Sequence, residues 1–233
     1  MWKLKKISFL IVGIGMLIIT GCSTKEDKPL LIDNSISSWT DNVQELESLI
    51  NKWADIEAKN EDGDTPLISA TRWNLFSSRH WRNDIVETLL KHWANVNHQN
   101  NDGLTALMYA CMNGDKEIVK LLLDHWADAN TIKSGWITAL FFPFMINKDT
   151  GSMVEITNLL IQYWADLDVQ DIDGFTALIN VSWMGIYPLV ELLINNWADM
   201  NIKTKEWETA LMRSKKFNQE EVVKILKQHW AKE

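Results

Sequence analysis

The chain has 233 residues, of which 46% are hydrophobic and 23% charged, and its formal net charge at pH 7 is −8. These values are typical of a folded soluble protein, and an acidic chain without a basic stripe is a poor nucleic-acid binder. Two counts are unusual: 13 tryptophans outnumber the 3 tyrosines and 7 phenylalanines together, and there are only 10 glycines.

The N-terminal segment has the pattern of a bacterial lipoprotein signal. Three lysines among the first six residues precede an apolar run, residues 7–19, which suits a secretory signal better than a membrane span. The run ends in ITGC, residues 19–22, which resembles the lipobox of bacterial lipoproteins. This resemblance implies a signal peptide over residues 1–21, cleavage before Cys22 and lipidation of Cys22. An uncleaved anchor, or an ordinary secretory signal with an incidental cysteine, is the alternative.

Lipidation of Cys22 would attach the protein to a membrane of the cell envelope. The site would be the outer side of the cytoplasmic membrane, or the outer membrane if one is present. Loss of residues 1–21 removes three lysines and no acid, which takes the net charge from −8 to −11. Residues 22–37 are interpreted as a tether. Cys111 is the only other cysteine, so we expect no intramolecular disulfide.

A tryptophan–alanine dipeptide recurs along the rest of the chain. Its tryptophans are Trp53, Trp93, Trp126, Trp164, Trp197 and Trp230. They are spaced 40, 33, 38, 33 and 33 residues apart, and a recurring period of 33 is typical of stacked repeats.

The best-formed copy runs from Asp102 to Asn130 and reads DGLTALMYACMNGDKEIVKLLLDHWADAN. It resembles the ankyrin repeat in its DG turn, in the TAL that opens a first helix, and in its AC pair, central glycine and apolar second helix. The resemblance covers roughly residues 38–233, with about six repeats of which the first is partial. It implies an all-α ankyrin-repeat solenoid of helix-turn-helix repeats joined by β-hairpin-like turns.

The residues of each copy support this fold independently. A threonine opens the first helix, where its hydroxyl can accept a hydrogen bond from an unpaired amide. The second helix carries an apolar stripe of Ile, Val and Leu, which no single copy can bury, so stacking creates the core. In the fourth copy Pro143 predicts a distorted or short first helix, because proline has no amide to donate.

Nine tryptophans stand where the ankyrin pattern, or a sister repeat of this chain, has glycine. Six belong to the tryptophan–alanine dipeptides; Trp136 and Trp207 match the glycine of the DG turn, and Trp81 aligns with Gly114 and Gly185. A left-handed backbone costs a non-glycine residue about 1–2 kcal/mol. Nine such residues would cost about 9–18 kcal/mol, as much as the whole stability of a domain.

We therefore hypothesise that these nine codons are UGA, translated here as tryptophan but read as glycine in the source. The alternative is genuine tryptophan, with turns that avoid positive φ and indoles that pack between repeats. Trp2, Trp39, Trp73 and Trp183 have no aligned glycine and are undecided.

The sequence contains no pattern that predicts catalysis or metal binding. His92, His125 and His229 each precede a tryptophan–alanine dipeptide. Adjacent repeats lie about 8–10 Å apart, too far for ligands that zinc holds at about 2 Å, so we interpret these histidines as polar residues at helix ends. Cys111 is interpreted as a small core residue. We predict that the protein is not an enzyme and binds no metal or cofactor.

In ankyrin proteins the hairpin tips and the exposed sides of the inner helices line a concave groove that binds partners. The resemblance assigns to this groove Tyr109, Met112, Phe142, Met145, Asn180, Trp183 and Arg213. Aromatic and methionine side chains suit an interface, although part of the set can equally be core between repeats. Two insertions add a second candidate contact, with local packing as the alternative; its phenylalanines are Phe76, Phe141, Phe142 and Phe144.

These patterns predict a lipid-anchored ankyrin-repeat protein that binds a protein partner at the cell envelope without catalysis. The alternative is a self-associating structural scaffold of the envelope. We expect the membrane to be contacted through the lipid on Cys22 and nucleic acid not to be bound. The overall negative charge weakly favours a basic partner.

Overall fold

The computed structural model describes residues 30–31, 43–72, 79–146 and 149–229, and within them the chain is almost entirely helical. The eleven α-helices of these ranges are α1 (Val43–Asn51), α2 (Pro66–Arg72), α3 (Arg79–Lys91), α4 (Ala106–Asn113), α5 (Lys116–Asp124), α6 (Pro143–Ile146), α7 (Thr150–Gln162), α8 (Ala177–Met184), α9 (Tyr187–Asn195), α10 (Ala210–Lys216) and α11 (Glu220–Gln228). The predicted all-α solenoid of stacked helix pairs is confirmed.

The helices form five antiparallel pairs, α2–α3 to α10–α11, and α1 precedes them. The second helices pack in a continuous row in which α1, α3, α5, α7, α9 and α11 each contact the next. Strand β1 (Leu30–Leu31) pairs in parallel with β2 (Ala54–Asp55), which follows α1. Two residues of the segment that we predicted to be a tether therefore contact the first repeat.

Three of the first helices begin as the residues predict. In α4, α8 and α10 the N-cap threonine accepts a hydrogen bond from the amide three residues later, at 3.2–3.3 Å. The apolar stripe of the second helix is buried; in α5 it consists of Ile118, Val119, Leu122 and Leu123. The fourth copy departs from this pattern, because a 3-10 turn over Ala139–Phe141 replaces the start of its first helix and α6 has only four residues. The predicted distortion at Pro143 is confirmed.

The second helices end in the same hydrogen-bonded turn. At the end of α5 the amide of Trp126 donates to Leu123 at 3.0 Å, and the amide of Ala127 donates to Leu122 at 3.0 Å. This pair of bonds is the Schellman motif, which requires a left-handed residue one position before Ala127. The equivalent alanines at the ends of α3, α7 and α9 make the same long bond at 3.0–3.1 Å.

Seven tryptophans accordingly have a left-handed backbone, with φ between 64° and 70°. They are Trp53, Trp93, Trp126, Trp136, Trp164, Trp197 and Trp207. The five that belong to tryptophan–alanine dipeptides are 86% to 91% exposed, so their indoles do not pack between repeats. The alternative prediction, that these tryptophans lie in turns that avoid positive φ, is therefore wrong for these seven residues.

Two of the nine predicted positions do not join this set. Trp81 lies inside α3, so the prediction that it occupies a left-handed turn like Gly114 and Gly185 is wrong. Helix α3 begins at Arg79, earlier than α5 and α9 begin in their repeats, and this takes Trp81 into regular helix. Trp230 lies outside the described residues.

A ladder of side chains joins the loops that follow these turns. The side-chain oxygen of Asn97 accepts a hydrogen bond from the backbone amide of Asp128 at 2.8 Å. The side-chain amide of Asn97 donates to the backbone carbonyl of Trp126 at 3.1 Å. Asn130 repeats both bonds toward the next repeat, at 2.7 and 2.9 Å. Asp168 accepts in the same way from Asp199, at 2.8 Å, but a carboxylate has no amide to donate to the next tryptophan carbonyl.

Trp126→Gly should raise the free energy of unfolding by about 1 kcal/mol, because glycine adopts the left-handed conformation without a Cβ penalty. Trp126→Ala keeps the Cβ atom and should give no such gain. Trp183→Gly, inside α8, should lower stability. Urea unfolding of the protein made with tryptophan measures all three, and equal stability of the glycine and alanine variants at position 126 would show that the left-handed backbone carries no Cβ penalty there.

Asp168→Asn should raise the free energy of unfolding at pH 7 by about 0.5–1 kcal/mol, because the amide can donate to the Trp197 carbonyl. Burial, together with the charges of Asp199 and Asp166, raises the pKa of Asp168. The folded state therefore favours the protonated carboxyl, so the parent chain is relatively more stable at low pH and loses this advantage as pH rises.

The gain from Asp168→Asn should thus shrink as pH falls from neutral toward about 4, near the pKa of an ordinary aspartate. Asn130→Asp is the reverse control and should reduce stability most at neutral pH. Chemical unfolding at both pH values measures the effect; a gain that is independent of pH would show that the ladder charge is not responsible.

Candidate partner-binding surface

One face of the solenoid is formed by the hairpin turns and by the exposed sides of α2, α4, α6, α8 and α10; we call it the inner surface. Adjacent hairpins are held together by backbone hydrogen bonds of 3.0 Å, from Asn101 to Asp62, from Ile172 to Gly135 and from Lys205 to Asp173. Side chains on neighbouring turns are therefore held at fixed positions relative to one another.

The seven predicted groove residues differ in exposure. Met145 is 51% exposed, whereas Tyr109 and Phe142 are buried, at 6% and 5%. The other four are half-buried: Met112, Asn180, Trp183 and Arg213. Tyr109 and Phe142 thus offer little area to a partner, and the remaining five are the predicted positions that present surface.

The phenylalanines of the second insertion pack inside the protein. Phe141, Phe142 and Phe144 are at most 5% exposed, and the rings of Phe141 and Phe144 lie 6.2 Å apart. The prediction that these three residues form a second partner contact is therefore wrong. The alternative, local packing, is correct. Phe76 lies outside the described residues.

A polar cluster joins the second and third repeats at the inner surface. Arg72 Nη1 donates to Asp62 Oδ2 at 2.7 Å and to Asp64 Oδ2 at 2.6 Å. Asn100 Nδ2 lies 2.7 Å from Asp64 Oδ1 and 3.2 Å from the Tyr109 hydroxyl. The bonds to Asp64 and Asp62 raise the pKa of Arg72, and burial raises the pKa of Tyr109. Arg72 is thus paired with both aspartates, which leaves the cluster with one net negative charge.

A second cluster joins the last two repeats. Arg213 Nη1 donates to Glu208 Oε2 at 2.6 Å, and Lys216 Nζ donates to Glu208 Oε1 at 2.7 Å. These two bonds lower the pKa of Glu208 and keep it ionised. The guanidinium carbon of Arg213 lies 4.8 Å from the ring centre of Phe175 and 5.2 Å from that of Phe217. Glu206 Oε2 lies 3.8 Å from the same Nη1 atom. The arginine is therefore held by two carboxylates and two aromatic rings.

The sequence prediction did not include several exposed residues of this face. Met184 and Phe217 are 37% and 43% exposed, and each stands eight residues after the threonine that caps its helix. Arg72 stands seven residues after its threonine, as Met112 and Trp183 do. A comparison of the copies position by position, counted from the threonine, would have found them.

The thiol of Cys111 and the rings of two helix-end histidines are buried or close to backbone carbonyls. Cys111 is fully buried, and burial raises the pKa of its thiol. The ring Nδ1 atoms of His125 and His229 lie 2.9 Å from the carbonyl oxygens of Leu121 and Ile225, which confirms the helix-end interpretation for both. In the described ranges no three His, Cys, Asp or Glu side chains are arranged to hold a metal ion.

No helix in the same part of the chain is long and apolar enough to cross a membrane.

Two stretches, residues 75–145 and 144–232, match the family model described as ankyrin repeats (3 copies). Together they span more than half of the chain. No curated protein matches the sequence significantly.

Proposed function

The chain belongs to the ankyrin-repeat family, and from this premise we propose that its inner surface binds one specific protein partner and catalyses no reaction. Ankyrin repeats generally mediate protein–protein interaction. The observation that carries the proposal is apolar exposure on one face: Met145, Met184 and Phe217 are 37% to 51% exposed. Methionine and aromatic side chains are enriched in protein interfaces.

The proposal of binding without catalysis is supported by the state of the nucleophilic and basic groups. The Cys111 thiol is inaccessible, and the rings of His125 and His229 are close to helix-end carbonyls rather than to a hydroxyl or thiol. A general base needs a position within hydrogen-bond reach of its nucleophile. The inner surface instead offers exposed hydrophobic area at Met145, Met184 and Phe217.

We also propose that the protein is anchored in the cell envelope by lipid on Cys22. The lipobox-like ITGC sequence supports this anchor; it lies outside the described residues. Strand β1 begins eight positions after Cys22, a distance of at most about 28 Å for an extended chain. The first repeat would therefore lie close to the bilayer, with the later repeats extending from it.

We propose further that the seven left-handed tryptophans are glycine in the native protein. Their strain sums to about 7–14 kcal/mol, comparable to the stability of a whole domain. At the ends of the first helices, where the same Schellman bonds form, the chain uses Gly114, Gly185 and Asn218. Those are the residue types that tolerate this conformation, and the exposed indoles gain no packing in compensation.

A photo-crosslinking amino acid at Met112 or Met145 should yield one discrete adduct with a different protein in the native cells. Lys120 on α5 is exposed but belongs to the row of second helices, and the same probe there should yield no adduct. Adduct masses report the outcome. An adduct of two copies of this chain would favour the scaffold alternative, and an adduct only at position 120 would place the partner on the opposite face.

Cys22→Ser should release the protein from the membrane fraction, because the thiol that carries the lipid is then absent. Cys111→Ser leaves the lipobox intact and should remain membrane-bound, which makes it the matched control. Fractionation followed by immunoblotting measures both. Retention of the Cys22→Ser variant in the membrane would contradict lipid anchoring and favour an uncleaved hydrophobic anchor.

A further inference from the structure

The last two repeats form an aromatic–basic patch on the inner surface, which we define as Phe175, Trp183, Met184, Arg213, Lys216 and Phe217. The rings of Trp183 and Phe217 lie 5.5 Å apart at an interplanar angle of 49°. Trp183 lies in regular helix α8 and has no positive φ, so it is not one of the seven strained tryptophans. Phe217 and Met184 remain substantially exposed beside it.

Arg213 is already ordered in the free protein. Its guanidinium is bonded to Glu208 and lies over the rings of Phe175 and Phe217, so little side-chain entropy remains to be lost on binding. Tryptophan and arginine, with neighbouring aromatic residues, dominate the binding energy of many protein interfaces. The patch therefore has the composition of a binding hot spot, and its arginine side chain is ordered before a partner binds.

The last repeat also differs from the others in charge. From six residues before the N-cap threonine to eight after it, residues 203–217 contain five basic and two acidic side chains, a net charge of +3. The equivalent windows of the four preceding repeats carry between −2 and +1. The basic residues of the last window are Lys203, Lys205, Arg213, Lys215 and Lys216. The chain as a whole is acidic, so the last repeat is a basic region with a charge opposite to that of the rest of the chain.

We infer that the aromatic–basic patch binds a polypeptide segment in which an apolar side chain stands next to carboxylates. The apolar side chain would pack against Trp183, Met184 and Phe217, and the carboxylates would face the basic residues of the last repeat. This inference rests on the proposed function and deepens it. It also replaces the basic partner that the net charge alone favours, because the local charge of the surface has the opposite sign.

A nucleic acid is the less favourable occupant. The equivalent windows of the preceding repeats carry only −2 to +1, so no basic surface continues past the last repeat to hold an extended phosphate backbone. A short acidic segment needs only the terminal window. Single-stranded oligothymidine therefore serves as the competing polyanion in the test.

The test is binding of the full chain to an unbiased array of short peptides of random sequence. The peptides that bind should be enriched in Asp and Glu adjacent to large apolar residues, and their affinity should fall as salt is raised. Phe217→Ala should weaken binding of the selected peptides at least tenfold, as expected for a hot-spot residue. Lys215→Glu with Lys216→Glu should weaken it by a similar factor.

Lys224→Glu with Lys227→Glu is the matched control: it makes the same change of net charge on α11, in the second-helix row, and should leave peptide affinity unchanged. Circular dichroism verifies folding of each variant. Selected peptides of basic or uniformly apolar composition, the absence of any binder, or preferential binding of oligothymidine would each overturn the inference. The crosslinking experiment at Met112 and Met145 tests the inner surface independently, so either proposal can fail alone.

Discussion

The fold depends on the turn that ends each second helix. Each second helix must stop and return its chain to the next hairpin, and at the end of α5 the Schellman bonds from Trp126 and Ala127 achieve this. The alanine of the dipeptide is buried at the turn, at 8% for Ala127, which explains why a small residue follows. The residue before it must be left-handed, and that single requirement recurs along the solenoid.

Regular turns place the other inter-repeat contacts. Because the loops leave every second helix in the same direction, Asn97 and Asn130 can bond to the equivalent atoms of the next repeat, and the hairpins can bond in series. The hairpins and first helices then present one inner surface, on which residues from different repeats meet. The contact of Arg213 with Phe175 is of this kind, because it joins two copies.

Periodicity made the stacked helix pairs, the threonine caps of α4, α8 and α10, and seven of the nine left-handed positions predictable from sequence. Depth was harder to predict: Phe142 aligns with the half-buried Arg213, yet it is buried, as is Tyr109 at the same position of a regular helix. Trp81 was misplaced because alignment cannot show where α3 begins. The stacking of Trp183 on Phe217 depends on the spacing between two repeats, which residues within one copy do not encode.

Glycine at the left-handed positions is the central claim, and peptide mass spectrometry of the protein from its native cells tests it most directly. Glycine masses are expected at the seven left-handed positions, with Trp183 retained as tryptophan. Tryptophan masses at positions 53, 93, 126, 164 and 197 would contradict it. The native protein would then carry a row of exposed indoles along one edge, and that row would become the leading candidate for its binding surface.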